Sequence, residues 1–248
     1  MRWIKSPPWW ALRVRLLLWG ILALAATPHL AAAQQAPTPT PARFVVVLDA
    51  AHGGDDSGAH LNDNQSEKAF TLALGVRLRS LLGARGIQVI STRESDVSVD
   101  PNRRATVANH ANAEACLSLH ASQSGYGVHL FVSSLTPSGA QPARFQAWKT
   151  AQAGSVTRSI ALAGVLNSAL LHAGMSVTLG RTALPAIDSM TCPAVAVEIA
   201  PEGAPNATAS APPAALDDPA YQARVAEALA AALLEWRAEA SRPEARTP

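Results

Sequence analysis

The stretch Phe44-Val-Val-Val-Leu-Asp-Ala-Ala-His-Gly-Gly54 decides the fold. Its β-branched run predicts a strand that is covered on both faces, and His52 follows the end of that strand. Two further apolar runs also lead into ionisable residues, His120 after Ala115–Leu119 and Glu198 after Ala194–Val197. Because burying an ionisable group is costly, strands that end in one indicate a site at their ends.

Strands and helices alternate along the chain outside this stretch. This alternation predicts an α/β fold, a single three-layer α/β sandwich with a mostly parallel central sheet. Residues 134–154, rich in Ser, Gln, Gly and Ala, are expected to be irregular. The strands are predicted at residues 44–48, 87–92, 115–119, 127–133 and 194–199, and the helices around residues 70–82, 100–112, 162–173 and 218–236.

Four segments are expected from composition. Residues 1–33 resemble a signal peptide, with four basic residues, an apolar stretch and a small-residue cleavage site, although an uncleaved anchor is the alternative. A Pro/Thr-rich linker at 34–42, one folded domain at 43–238 and a flexible tail at 239–248 complete the chain.

Charge and cysteine content restrict the partners. Of 20 basic residues the signal carries four, so the mature chain has fewer basic than its 18 acidic residues and does not suggest nucleic acid. No stable membrane insertion is expected after signal cleavage. Cys116 and Cys192 pair only if their strands are neighbours, and two buried free thiols are equally compatible with the sequence.

The four ionisable residues are expected to converge. In an open α/β sheet, ligands bind beyond the carboxyl ends of the strands, where His52, His120 and Glu198 fall, while Glu67 starts the first long helix. Two imidazoles and one carboxylate are a catalytic zinc set, and a second carboxylate is free to act as base. Spacing alone supports equally well a surface histidine and a carboxylate at a helix N-terminus.

A set of ordered motifs resembles the zinc-dependent N-acetylmuramoyl-L-alanine amidases, the Amidase_3 or AmiC-like peptidoglycan amidases. The resemblance spans nearly the whole predicted mature chain. Its motifs are Val45-Val-Val-Leu-Asp-Ala-Ala-His-Gly-Gly-Asp-Asp-Ser-Gly-Ala59, Glu67-Lys68, Thr92-Arg93, Arg104 with Ala108-Asn109, Ser118-Leu-His-Ala121 and Pro193-Ala-Val-Ala-Val-Glu198.

This resemblance implies a chemistry. A Zn²⁺ ion would be held by His52, Glu67 and His120, and Glu198 would be the general base and acid. The substrate would be peptidoglycan (murein), cleaved between the lactyl group of N-acetylmuramic acid and L-alanine. The enzyme would be periplasmic or otherwise exported to the cell envelope, and some members of the family respond to a protein activator.

The chain also departs from the family pattern. Ser122 stands where the family usually has Asn, Ile199-Ala200 follows the last Glu where the family has Gly-Phe, and Ala50-Ala51 replaces Pro-Gly. The Ser122 and Ile199-Ala200 departures keep open an inactive amidase-fold module that binds murein or regulates an active amidase. A zinc exopeptidase that cleaves another amide is a further alternative, because the fold resembles that class too.

Two further expectations concern the surroundings of the site. Because residues 134–154 are short and rich in small residues, we expect no strong self-inhibitory helix across the metal cleft. Arg93, Arg104 and Arg181 are candidates for substrate contact, although arginines in these positions serve equally well as structural ion-pair partners.

Overall fold

The computed structural model describes residues 43–138, 147–203 and 215–241. The predicted signal at 1–33 and linker at 34–42 lie outside these residues, as does the predicted tail beyond Ser241. Among the described residues, no single helix is long and apolar enough to span a membrane. A 3₁₀ helix at Trp148–Gly154 and the following α-helix at Val156–His172 meet that criterion only as a pair bent by 65°.

A six-stranded sheet forms the centre of the fold. Its strands are β1 Val45–Ala50, β4 Gln88–Ser91, β5 Ala115–Ala121, β6 Val128–Ser133, β7 Val177–Thr182 and β8 Ala194–Ile199, whereas β2 His60–Asn62 and β3 Gln65–Ser66 form a separate small hairpin. The order of the strands across the sheet is β4-β1-β5-β8-β6-β7. All neighbours are parallel except β6 and β8, so the predicted mostly parallel sheet is confirmed.

Helices cover both faces of this sheet and give the three-layer architecture that the sequence predicts. One face packs against α1 Glu67–Gly83, α3 Val156–His172 and α5 Pro219–Ala240. The other face packs against α2 Pro101–His110 and the short α4 Pro185–Asp188. Leucines such as Leu78, Leu117 and Leu166 are completely buried in the larger core, and each contributes about 1.5–3 kcal/mol.

The predicted helix starts are confirmed by their caps. The Asp100 carboxylate accepts hydrogen bonds from the backbone amides of Asn102 and Arg103, and Pro101 occupies the first turn. Asp218 caps α5 in the same way, through the amide of Ala220. Because an uncapped helix leaves amides without partners, these Asp-Pro pairs place the two helix starts.

Three features of the sheet and its surroundings were not anticipated. β7 is an edge strand with exposed Thr178, Leu179 and Arg181, so it lacks the apolar run that marks a central strand. The β2–β3 hairpin lies between β1 and α1, and α4 is only one turn long. Short or exposed elements bury too few apolar side chains to leave a periodic pattern.

A disulfide joins Cys116 and Cys192, whose Cα atoms are 6.2 Å apart. Cys116 lies near the start of β5, and Cys192 lies two residues before β8. The pairing left open by the sequence is therefore resolved by the sheet order, since β5 and β8 are neighbours. The crosslink ties together the amino ends of the two strands that carry His120 and Glu198.

Candidate metal centre

His52 lies in a tight turn just beyond β1. Its φ angle is +60°, and Gly53 follows at +127°, so the chain reverses sharply as it leaves the sheet. Gly58 lies against the side chains of His52 and Glu67, since a Cβ at this position would lie 2.6 Å from both Oε2 of Glu67 and Cδ2 of His52. Glycine at position 58 therefore lets the loop pack directly against the two side chains.

Glu67, the first residue of α1, connects both histidines. Its Oε2 lies 3.1 Å from Nε2 of His52, and its Oε1 lies 3.0 Å from Nδ1 of His120. The amides of Ala59 and Ala121 also donate to this carboxylate. Burial by itself raises the pKa of Glu67, but the hydrogen bonds from His120 and these two amides outweigh it and hold the pKa below its usual value.

The structure thus brings together the three residues predicted as metal ligands. One ligand atom from each of His52, Glu67 and His120 lies within 4.8 Å of the others. Two imidazole nitrogens and a carboxylate oxygen suit a divalent metal such as zinc. The histidine side chains are 24% and 35% exposed, so the cluster is open on one side. Three protein donors beside an open position are typical of catalytic rather than structural zinc sites.

Asp56 orients His52, a role that no local pattern in the sequence indicates. Its Oδ2 lies 2.8 Å from Nδ1 of His52, which directs Nε2 towards the cluster. The hydrogen bond with His52, followed by one from the amide of Gly58, lowers the pKa of Asp56, so it remains a carboxylate. Carboxylates that hold the outer nitrogen of a metal-binding histidine fix the ring and raise its basicity.

A buried chain of hydrogen bonds connects Asp49 on β1 to His120 on β5 through Ser118. Arg104 donates to Oδ1 of Asp49 at 2.7 Å, and Thr92 donates to the same oxygen at 2.7 Å. Ser118 donates to Oδ2 of Asp49 at 2.8 Å, and its hydroxyl lies 3.4 Å from Nε2 of His120. The chain fixes the end of β1 against the end of β5, the strand that carries His120.

The three candidate arginines all bind backbone carbonyls. Arg93 and Arg104 are buried, and they hold the turn that carries His52. Arg181 lies at the sheet edge. The structure therefore favours the structural role for all three arginines. Arg93 donates to the carbonyls of Ala50, Ala51, Ser95 and Lys68. Arg104 donates to those of Val99, Ala50 and His52, and Arg181 donates to those of Ser133 and Leu135.

Glu198 lies beside the cluster by strand register. It pairs with His120 across β5 and β8, so both side chains project from the same face of the sheet. Ile199 points to the opposite face, where it is completely buried, and the carbonyl of Ala200 accepts a hydrogen bond from Tyr221. The Ile199-Ala200 departure therefore fills the core rather than the open side of the site.

Ser122 lies in the loop just after β5, whereas the 3₁₀ helix lies at the other end of the sheet. The Ser122 hydroxyl accepts a hydrogen bond from the amide of Ser124, within the loop after β5. The 3₁₀ helix lies elsewhere, because Gln152 donates to the carbonyls of Met190 and Cys192 at the amino end of β8. The described part of residues 134–154 therefore does not cross the metal cluster, which lies at the carboxyl ends of the parallel strands.

A family model for the N-acetylmuramoyl-L-alanine amidases, Amidase_3, matches residues 46–235, which include the whole cluster and Glu198. The chain belongs to this family. The match covers both strand ends that carry the histidines, the start of α1 and β8.

Individual relatives agree with this assignment. The amidase Rv3717 of Mycobacterium tuberculosis is 32% identical over 136 residues, which are 45% of this chain and 56% of that protein. AmiA of Escherichia coli is 38% identical over 77 residues, 31% of this chain and 27% of that protein. The chain thus aligns with about half, or less, of the length of these curated relatives.

Solved amidases share the fold. Ami1 from Mycobacterium smegmatis superposes with a TM-score of 0.61 at 21% identity, covering 79% of this chain and 97% of that one. The catalytic domain of CwlV from Paenibacillus polymyxa var. colistinus gives 0.59 at 24% identity, covering 79% and 98%. At these identities the likeness shows the three-layer fold alone.

Proposed function

We propose that this protein is a zinc-dependent peptidoglycan amidase that hydrolyses the amide between the lactyl group of N-acetylmuramic acid and L-alanine. The observation that carries the proposal is the convergence of His52, Glu67 and His120, with Glu198 next to His120 in register. Membership of the amidase family supports the substrate.

His52, Glu67 and His120 would hold the metal, and Asp56 keeps the His52 ring turned towards it. A bound zinc ion supplies Lewis-acid polarisation of the amide carbonyl and lowers the pKa of a water molecule. The donor set fits this ion, since it offers two imidazoles and one carboxylate with an open side.

Glu198 is the proposed proton carrier. Its carboxylate accepts the proton of the attacking water and then passes that proton to the departing nitrogen of L-alanine. Its pairing with His120 across β5 and β8 supports this role, because directly paired residues project from the same face of the sheet. The products would be a glycan with free lactyl carboxylates and a free stem peptide.

The site of action proposed for this activity is the cell envelope. The basic and apolar pattern of residues 1–33 supports export, because it has the layout of a secretory signal.

A protein activator is the second partner proposed for this chain. A structure of the CwlD amidase from Clostridioides difficile contains the GerS lipoprotein. An activator of the present chain would raise its rate above that of the isolated protein.

The test is digestion of purified murein by residues 43–248, followed by mass analysis of the released fragments. The proposal expects free stem peptides with a new N-terminal alanine and a glycan with intact sugar linkages. Binding to murein without peptide release would instead support the inactive module. Fragments cut at another amide would support the exopeptidase.

A further inference from the structure

The row of polar side chains that contains His120 and Glu198 continues across the sheet. Glu198 on β8 pairs with His129 on β6, and His129 pairs with Thr178 on β7. Side chains of directly paired residues project from the same face. His129 is therefore the next side chain beyond Glu198, on the side away from His120.

The imidazole of His129 is held in place. Its Nδ1 lies 2.5 Å from Oγ1 of Thr178. At the other end of the ring, glycine at position 125 leaves space beside Nε2 of His129, which a Cβ there would approach to 2.8 Å. Phe131, on the same strand face, lies with its ring centre 6.5 Å from that of the imidazole.

Nε2 is the nitrogen of His129 that is left for a ligand. No residue in the described ranges 43–138, 147–203 and 215–241 hydrogen-bonds it, and the side chain is only half-buried. When the Thr178 hydroxyl donates to Nδ1, the ring proton lies on Nε2, which then donates to an acceptor oxygen. A protonated ring donates from Nε2 as well.

The order of the row indicates which part of the substrate reaches His129. Glu198 must contact the departing nitrogen if it returns the proton to it. The leaving peptide therefore starts at Glu198 and continues away from the metal donors. His129 is the next side chain in that direction. The oxygens that a peptide offers there are amide carbonyls and carboxylates.

We propose that His129 is a substrate-contacting residue, which donates a hydrogen bond from Nε2 to an oxygen of the stem peptide beyond the cleaved bond. This inference rests on the proposed amidase function. It makes the β8–β6–β7 side of the site the peptide side, and it gives Thr178 the role of positioning the imidazole.

The test compares the wild type, His129→Ala and His129→Gln on a soluble muropeptide with an intact stem. Free stem peptide and peptide-free glycan serve as inhibitors. His129→Ala is expected to raise KM and the inhibition constant of the peptide about tenfold, with kcat, glycan inhibition and zinc content nearly unchanged. His129→Gln, which retains a donor, should recover much of the loss, and Thr178→Val should show a smaller effect of the same kind.

His172→Ala is the matched control, because this exposed histidine ends α3 on the opposite side of the sheet. It should behave as the wild type does. The role of His129 would be overturned if His129→Ala left KM unchanged, affected only kcat, or weakened both inhibitors equally. It would also be overturned if the stem peptide did not inhibit the wild type. A wild type that binds zinc but releases no peptide would overturn the proposed function itself, which separates the two failures.

Discussion

Two residues outside the predicted ligand set determine how well the site is organised. Asp56 holds Nδ1 of His52, and Arg104 holds both the carbonyl of His52 and the Asp49 carboxylate. Neither role involves substrate. Asp56 orients the imidazole of His52, whereas Arg104 neutralises the buried Asp49 carboxylate and holds the turn at His52. Substitution of Asp56 should therefore affect metal binding, and substitution of Arg104 should affect the stability of the fold.

Asp56→Asn should weaken zinc binding about 10- to 100-fold, because the amide no longer provides a charged partner for Nδ1 of His52. Zinc affinity is measured by competition with a chromophoric chelator. Asp55→Asn is the control, since Asp55 is the exposed neighbour in the same loop. Equal affinities for the two variants would contradict the orienting role.

Arg104→Met should lower the free energy of unfolding by about 3–5 kcal/mol, because it leaves the buried Asp49 carboxylate without its cation. Denaturant titration of the metal-free protein measures this quantity. Arg103→Met, an exposed neighbour on α2, should change it by less than about 0.5 kcal/mol. A stable Arg104→Met variant with a lost substrate affinity would point back to substrate contact.

At the scale of elements, the site depends on how β1, β5 and β8 lie side by side. Continuous apolar runs predict strands at Val45–Leu48, Ala115–Leu119 and Ala194–Val197. His52, His120 and Glu198 therefore lie at the ends of these runs or shortly after them. β7 could not be recognised, because its exposed Thr178 and Arg181 break the pattern. The antiparallel pairing of β6 with β8 was not predicted either, because the hydrophobicity pattern of a strand does not depend on its direction.

The disulfide acts at this scale, because it joins β5 to the segment before β8 across a sequence separation of 76 residues. Replacing Cys116 and Cys192 together by Ala should lower the free energy of unfolding by about 4 kcal/mol, as expected for a loop of this length. Denaturant titration with and without reductant measures it. Reductant should destabilise the wild type and leave the double variant unaffected. Equal stability of the wild type and the double variant in the absence of reductant would contradict the account.

For the whole molecule, the sequence was sufficient for the fold class and for the four residues proposed to carry the chemistry. Buried runs or a helix start mark these residues as candidates, and the resemblance to the amidase family implies their roles. The supporting contacts were not accessible, because Asp56, Ser118 and His129 acquire their roles only through hydrogen bonds or pairings set by tertiary structure. A polar residue in a loop or strand carries no local signal of its eventual partner.

Zinc removal should affect both the activity and the thermal stability of the whole molecule. Because the three donors come from β5, α1 and the turn after β1, a bound ion should connect these elements and stabilise the fold. Chelation should abolish murein hydrolysis and lower the melting temperature, and added Zn²⁺ should restore both. Hydrolysis that persists after verified removal of the metal would exclude a metal mechanism.

The rate at which Glu198→Gln releases peptides with N-terminal alanine from purified murein, measured alongside its zinc content, tests the central claim most directly. Glutamine preserves the shape of the side chain but cannot carry the proton, so the rate should fall at least about 100-fold while zinc content stays at the wild-type level. A zinc-loaded variant that releases peptide at the wild-type rate would contradict the assignment of Glu198, and with it the proposed mechanism.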